Sequence, residues 1–271
     1  MSSSQDHTKW FTILSTPLQT SDGKGVTLLE FKPDLANHNV MSSWAKHFRN
    51  HYCFDEEIDY LRTGPGLSSK DYLLRHKFPS SSGFGPGIRS GDFSEILVAD
   101  YIEFVLGVWV PRTRYGIKTI RDESTKGSDL IGFTLVDDTQ SPKDVLTMFE
   151  VKAQFSGNRA KDRLQDSIND SVKDDLRLAE SLNAMNHRLF DKGKLDDAKK
   201  VARFQNELDR PFKKQFGAAA LYSTDIFIDD VITKASTKGH PFRSNIFLIV
   251  IKGDEMMNLV NRLYQIAADE A

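Results

Sequence analysis

The segment Leu146 to Gln154 constrains this chain more than any other stretch of it. In an extended strand alternate side chains share a face. Met148, Glu150, Lys152 and Gln154 therefore fall on one side, and Phe149, Val151 and Ala153 on the other. A carboxylate and an ammonium side by side in a largely apolar strand lose hydration, which is hard to justify unless they pair or serve a metal site.

Asp129 heads the preceding predicted strand, Asp129 to Val136, which the polar turn Asp137 to Lys143 joins to a strand over Val145 to Gln154 in the manner of a hairpin. Adjacent strands bring Asp129 and Glu150 together as two hard oxygen donors suited to Mg²⁺ or Mn²⁺. Phosphodiester hydrolysis needs an activated water, neutralisation of the charge growing on the phosphate and an in-line arrangement of attacking and leaving oxygens. Lys152 fits two roles: stabilising the transition state, or deprotonating the water if burial or metal charge lowers its pKa.

An acidic-x-Lys tripeptide alone carries little, because it recurs at Asp22 to Lys24, Glu30 to Lys32 and Asp197 to Lys199. Glu30 to Lys32 is the strongest decoy, on a predicted strand with Asp22 upstream. Context selects Glu150: an acidic residue heads the neighbouring strand, a buried helix bearing Glu95 precedes it, and a long helix follows.

The remaining pattern predicts an α/β fold. Strands are expected at Trp10 to Leu14 and Val26 to Phe31, then a helix from Ala36 to about Leu61. The breaker-rich stretch Phe78 to Gly91 marks the main boundary, dividing an N-terminal α+β accessory region, 1–88, from a core, 89–271. The core reads as a buried helix over Asp92 to Leu106, strands over Val110 to Ile120 and the hairpin above, helices over Lys161 to Leu189 and Leu195 to Leu208, strands near Ala218 to Phe227 and Asn245 to Ile251, and a final helix over Glu255 to Ala268.

Composition narrows the class. A single cysteine, Cys53, excludes an internal disulfide or a cysteine-rich zinc site. No apolar run is long enough to span a bilayer, and Met1 to Lys9 is polar, so a cytoplasmic protein without a membrane partner is expected. A net charge of −2 means that affinity for nucleic acid must come from local basic surface, bound cations or a partner.

Several residues carry two readings. Arg112, Arg114 and Lys118 share a face of the predicted strand Val110 to Ile120, as DNA-backbone contacts or as charges guarding an edge strand. Asp92-x-x-Glu95 also fits a helix capping box, and Asp129, after Gly127-Ser128, also fits the end of a turn. His47, His51 and Cys53 lack a fourth metal ligand at sensible spacing and read as polar residues on a surface helix.

Taken together, Gly127-Ser128-Asp129-Leu130-Ile131-Gly132-Phe133, Phe149-Glu150-Val151-Lys152-Ala153-Gln154 and Gly91-Asp92-Phe93-Ser94-Glu95-Ile96-Leu97 resemble the PD-(D/E)XK restriction-endonuclease-like nucleases, although no proline precedes Asp129. More narrowly, Ser90 to Glu95, Val110-Pro111-Arg112 and Lys126 to Phe133 resemble the HamA family, nuclease subunits of the Hachiman antiphage defence system. The resemblance implies a core of helix, three antiparallel strands, helix and strand. It implies a Mg²⁺-dependent deoxyribonuclease, with Mn²⁺ as a substitute, whose catalytic residues are Glu95, Asp129, Glu150 and Lys152. The metal would be held by Asp129 and Glu150 with Glu95 assisting, and Gln154 would be auxiliary. It further implies DNA as substrate and a helicase subunit, HamB, that restrains and triggers the nuclease. The alternatives are a non-catalytic nuclease-fold scaffold that binds a partner, and a stand-alone restriction or repair nuclease.

Overall fold

Two strands buried along most of their length, β6 (Lys213–Ser223) and β7 (Ile246–Gly253), dictate the architecture, because a strand apolar on both faces needs helices on both. The computed structural model describes residues 5–271; residues 1–4 of the polar N-terminal stretch lie outside the described residues. The other strands are β1 (Phe11–Ile13), β2 (Leu18–Gln19), β3 (Gly25–Phe31), β4 (Leu130–Thr134) and β5 (Val145–Gln154). The helices are α1 (His38–Asn50), α2 (Asp55–Leu61), α3 (Ser69–Tyr72), α4 (Gly85–Asp100), α5 (Arg163–Ser171), α6 (Asp174–Asp191), α7 (Leu195–Ala202), α8 (Asp230–Thr233) and α9 (Met256–Asp269).

The strands form one mixed sheet in the order β1-β3-β7-β6-β5-β4, with β2 pairing β3. The β3-β7, β7-β6 and β6-β5 pairs are parallel, and the two outer pairs antiparallel. One face, with Leu29, Phe149, Val151, Leu221 and Ile251, packs against α1, α4 and α9. The other, with Ile131, Met148, Ala220 and Leu248, packs against α5, α6 and α7. This is the α/β layering expected of the chain.

The N-terminal residues belong to this sheet. β3 pairs in parallel with β7 and α1 packs on α9, so residues on both sides of the expected boundary at 88 share one sheet and one core. That boundary falls inside α4, which starts at Gly85 because a proline in a first helical turn forfeits no hydrogen bond. The expected single helix over 36–61 breaks at His51 to Phe54 into α1 and α2, and that over 161–189 breaks at Val172 and Lys173 into α5 and α6.

The predicted strand Val110 to Ile120 does not form. The chain meets β4 only at the Trp109–Phe133 bridge, which the close approach to Gly132 permits: a Cβ there would lie 2.7 Å from Val108 Cγ1. Beyond it the segment leaves the sheet, because its cations find acidic partners on α4, on the helical turn that follows it and just before β4. Arg112 pairs with Asp100 and Glu103, Arg114 with Glu95 and Asp129, and Lys118 with Asp92 at 2.5 Å. The antiparallel part of the core is therefore two strands and a bridge rather than three strands.

Candidate active site

β5 is ten residues long, yet β4 pairs only with its first half, from Thr134 opposite Val145 to Leu130 opposite Phe149. The register sets Asp129, just before β4, across from Glu150 on the same face of the sheet. Past that point the edge of β5 is uncovered, and its next backbone N–H, that of Val151, donates to Asp129 Oδ2 at 2.9 Å. A side chain thus takes over where the strand ladder stops.

Glu95 reaches this open edge from α4, on the opposite layer. Its Oε2 accepts from the Tyr115 hydroxyl and lies 2.8 Å from Arg114 Nε. The same guanidinium donates to Asp129 Oδ1 at 2.8 Å and to the carbonyls of Thr125 and Ser128. On the β5 side, Lys152 Nζ bridges Glu150 Oε1 at 2.6 Å and Asp170 Oδ2, at the end of α5, at 2.9 Å. All of these side chains line a cavity of about 730 Å³ whose far wall is α6. Glu95, Asp129, Glu150 and Lys152 are therefore brought together.

The electrostatics are those of crowded acids. Burial pushes the Glu150 carboxyl up to about 7, the charge of Asp129 adds to the rise, and Lys152 opposes it. Glu95 is raised well above the carboxylate range, first by burial and then by Asp129 and Asp92, against the opposing charge of Arg114. Lys152 behaves in the opposite sense: burial works against its ammonium, but Glu150 and Asp170 hold its pKa above the ordinary lysine value. It remains a cation.

Two acids in this region carry no sequence signal of their own. Asp170 is the second partner of Lys152. Asp174, at the start of α6, is wholly buried, and neither of its oxygens meets a donor at hydrogen-bonding geometry. Burial and the charge of Asp129 push it up to about 6, while the neighbouring Ser128 hydroxyl opposes the rise. A buried carboxylate without a donor is costly; Asp174 lies behind the cavity wall rather than on it, and acts on Glu150 through its charge. Glu95 Oε1 and Glu150 Oε2 have no hydrogen-bond partner among the described residues and remain open as ligands. This all-oxygen donor set fits a hard cation such as Mg²⁺.

Other expectations change. Arg112, Arg114 and Lys118 do not form an outward basic face, since each is tied inward to carboxylates. Asp92 is no helix cap: it lies within α4 and takes the Tyr52 hydroxyl at 2.8 Å as well as Lys118. Gln154 does not line the cavity and braces the loop after β5, accepting from the Lys161 N–H and donating to the Arg159 carbonyl. Among the described residues Glu30 pairs only with Lys32 beside it, and Asp22, whose pKa burial would raise, is held at about 2 by Thr20, Thr237 and Arg243.

His51 and Cys53 are buried rather than on a surface helix. His47 and His51 gather with Asp100, their donor atoms within 4.8 Å of one another. A cation already stands there: Arg112 lies 3.0 Å from Asp100 Oδ1 and 3.3 Å from His51 Nε2. His7 Nε2, 2.9 Å from Asp100 Oδ2, completes the network. It anchors Arg112, and through it one wall of the cavity.

Among the described residues no helix is long and apolar enough to cross a membrane. A search of curated proteins finds no match. The HamA family model, in contrast, matches residues 6–267, both sides of the expected boundary and every residue of the cavity. The chain belongs to the HamA family, that of the Hachiman antiphage defence system.

Proposed function

We propose that the chain is a Mg²⁺-dependent deoxyribonuclease, with Mn²⁺ able to substitute, and the cutting subunit of a defence complex with a helicase, HamB. The observation that carries this reading is the convergence of Glu95, Asp129, Glu150 and Lys152 on one cavity at the open edge of β5. When bound, the cation would lower the pKa of an attacking water and neutralise phosphate charge. Asp129, Glu150 and Glu95 are the residues to hold it. Val151 fixes one oxygen of Asp129, and the other, which accepts from Arg114, keeps a second lone pair for a ligand. Lys152, kept charged by Glu150 and Asp170, suits stabilisation of the developing phosphorane charge better than proton abstraction.

Restraint by a helicase rests on family membership together with the absence of a strong overall positive charge. Incubating the purified chain with linear and circular DNA tests the reading, in Mg²⁺ or EDTA, with and without the helicase. Degradation that requires Mg²⁺ and is released when the helicase engages DNA is expected. Failure to cut under every condition would leave the scaffold reading, and free cutting by the chain alone would contradict restraint.

A further inference from the structure

The α6 wall of the cavity carries an arrangement that the carboxylate centre does not use. Lys173, which precedes the helix, and Arg177, Glu180, Ser181, Ala184 and Arg188 within it all line the cavity. At 100° per residue these positions fall within a sector of roughly 100°, so they form one stripe along the helix. Its ends are cationic and its middle, Ser181 and Ala184, is small, which leaves a trough between charges.

The charges on this stripe are differently committed. Arg177 and, across the cavity, Lys126 are exposed and make no hydrogen bond or ion pair among the described residues, although the charge of Arg177 reaches the buried Asp174. Lys173 is engaged by Asp170 at 2.5 Å, and Arg188 donates to the Thr113 carbonyl at 3.3 Å. Exposed cations without a hydrogen-bond partner beside a row of acids are the charge pattern that a polyanion needs, since the acids alone would repel it. The stripe from Lys173 to Arg188 is about 22 Å long at 1.5 Å per residue, enough for several nucleotides.

We propose that this stripe, with Lys126 opposite, is the subsite that holds the sugar-phosphate backbone of a nucleic-acid strand and leads one phosphate to the carboxylates and Lys152. The proposal rests on the nuclease reading and adds which residues grip the substrate. Arg177 and Lys126 make the direct phosphate contacts, the small residues admit the strand, and Glu180 is the one charge on the stripe that opposes it. A chain of net charge −2 thereby acquires a local cationic track.

The test is fluorescence anisotropy of labelled single-stranded and duplex oligonucleotides with the full chain in EDTA, so that nothing is cut, repeated across salt concentrations. Arg177→Ala and Lys126→Ala should each weaken binding roughly three- to tenfold and lower the salt slope by about 0.7 to 0.9. Glu180→Gln should tighten binding. Lys234→Ala, an exposed cation outside the cavity and paired with Asp230 at 2.7 Å, should change nothing and controls for net charge. If Arg177→Ala and Lys126→Ala bind as wild type does, or if Lys234→Ala loses as much, the subsite is wrong while a wild type that cuts keeps the nuclease reading intact. A wild type that neither binds nor cuts removes both.

Discussion

Asp129 Oδ2 accepts the backbone N–H of Val151 at 2.9 Å, so a carboxylate side chain occupies the ladder position that β4 vacates. This contact gives Asp129 a structural role beside the metal-binding one proposed for it, and the two separate by substitution. Asp129→Asn keeps an acceptor for Val151 but turns its amide NH₂ toward Arg114, so it should cost less than Asp129→Ala in urea unfolding without being neutral, while weakening Mn²⁺ binding in calorimetry at least about tenfold. Asp129→Ala strands both the N–H and Arg114 and should cost roughly 1–3 kcal/mol. Equal Mn²⁺ affinity in wild type and Asp129→Asn would remove Asp129 from the metal site.

Glu150 gives the metal-free protein a defined pH dependence. Its folded pKa, about 7, lies above the ordinary 4.5 because of burial and Asp129. Between those values the folded state holds a proton that the unfolded state has released, so stability is greatest below about 4.5 and falls as pH rises toward 7. The loss is at most about 3 kcal/mol, and Asp174, at about 6, acts in the same sense. Glu150→Gln should flatten that decline in thermal melts without metal; an unchanged pH profile would show that the carboxyl does not titrate there.

Arg114 is the cation that currently joins Glu95 to Asp129. Replacing it by the uncharged Arg114→Met leaves two half-buried carboxylates without their shared cation, at a cost of roughly 1–3 kcal/mol. Added Mg²⁺ should recover part of that loss, so the variant should show a larger metal-induced rise in melting temperature than wild type. An equal rise in both would mean that Arg114 and the metal do not share these ligands.

Gly217 sits under the ring of Phe149, where a Cβ would lie 2.3 Å from Phe149 Cε1. Gly217→Ala therefore forces the residue beside Glu150 to move and should cost about 1–3 kcal/mol. Phe149→Leu in the same chain should return part of it in a double-mutant cycle. Additive effects would contradict the contact.

Much of this was legible in residue periodicity, and the misses have physical causes. β5 announced itself because strand alternation segregates Phe149, Val151 and Ala153 from Glu150 and Lys152, and β3, β7 and α9 follow equally local patterns. The segment after Val110 looked like a strand because alternation cannot reveal Asp92, Glu95, Asp100 and Glu103, the tertiary partners that draw its cations inward. Gly85-Pro86-Gly87 looked like a break because proline punctuates both loops and first helical turns. Asp174 was invisible for another reason: helical spacing identified the apolar stripe of α6 but not that a carboxylate beside it would be buried against Ser128.

In the proposed site a cation held by Glu150 works beside the ammonium of Lys152, and one paired measurement tests this arrangement. Mn²⁺ affinity and Mg²⁺-dependent DNA cutting are determined for wild type, Glu150→Gln and Lys152→Met, with the helicase present. Glu150→Gln should lose both, whereas Lys152→Met should still bind Mn²⁺ but cut at least about a hundredfold more slowly, on the order expected for losing one transition-state contact. Cutting by Lys152→Met at the wild-type rate, or undiminished Mn²⁺ binding by Glu150→Gln, would contradict it.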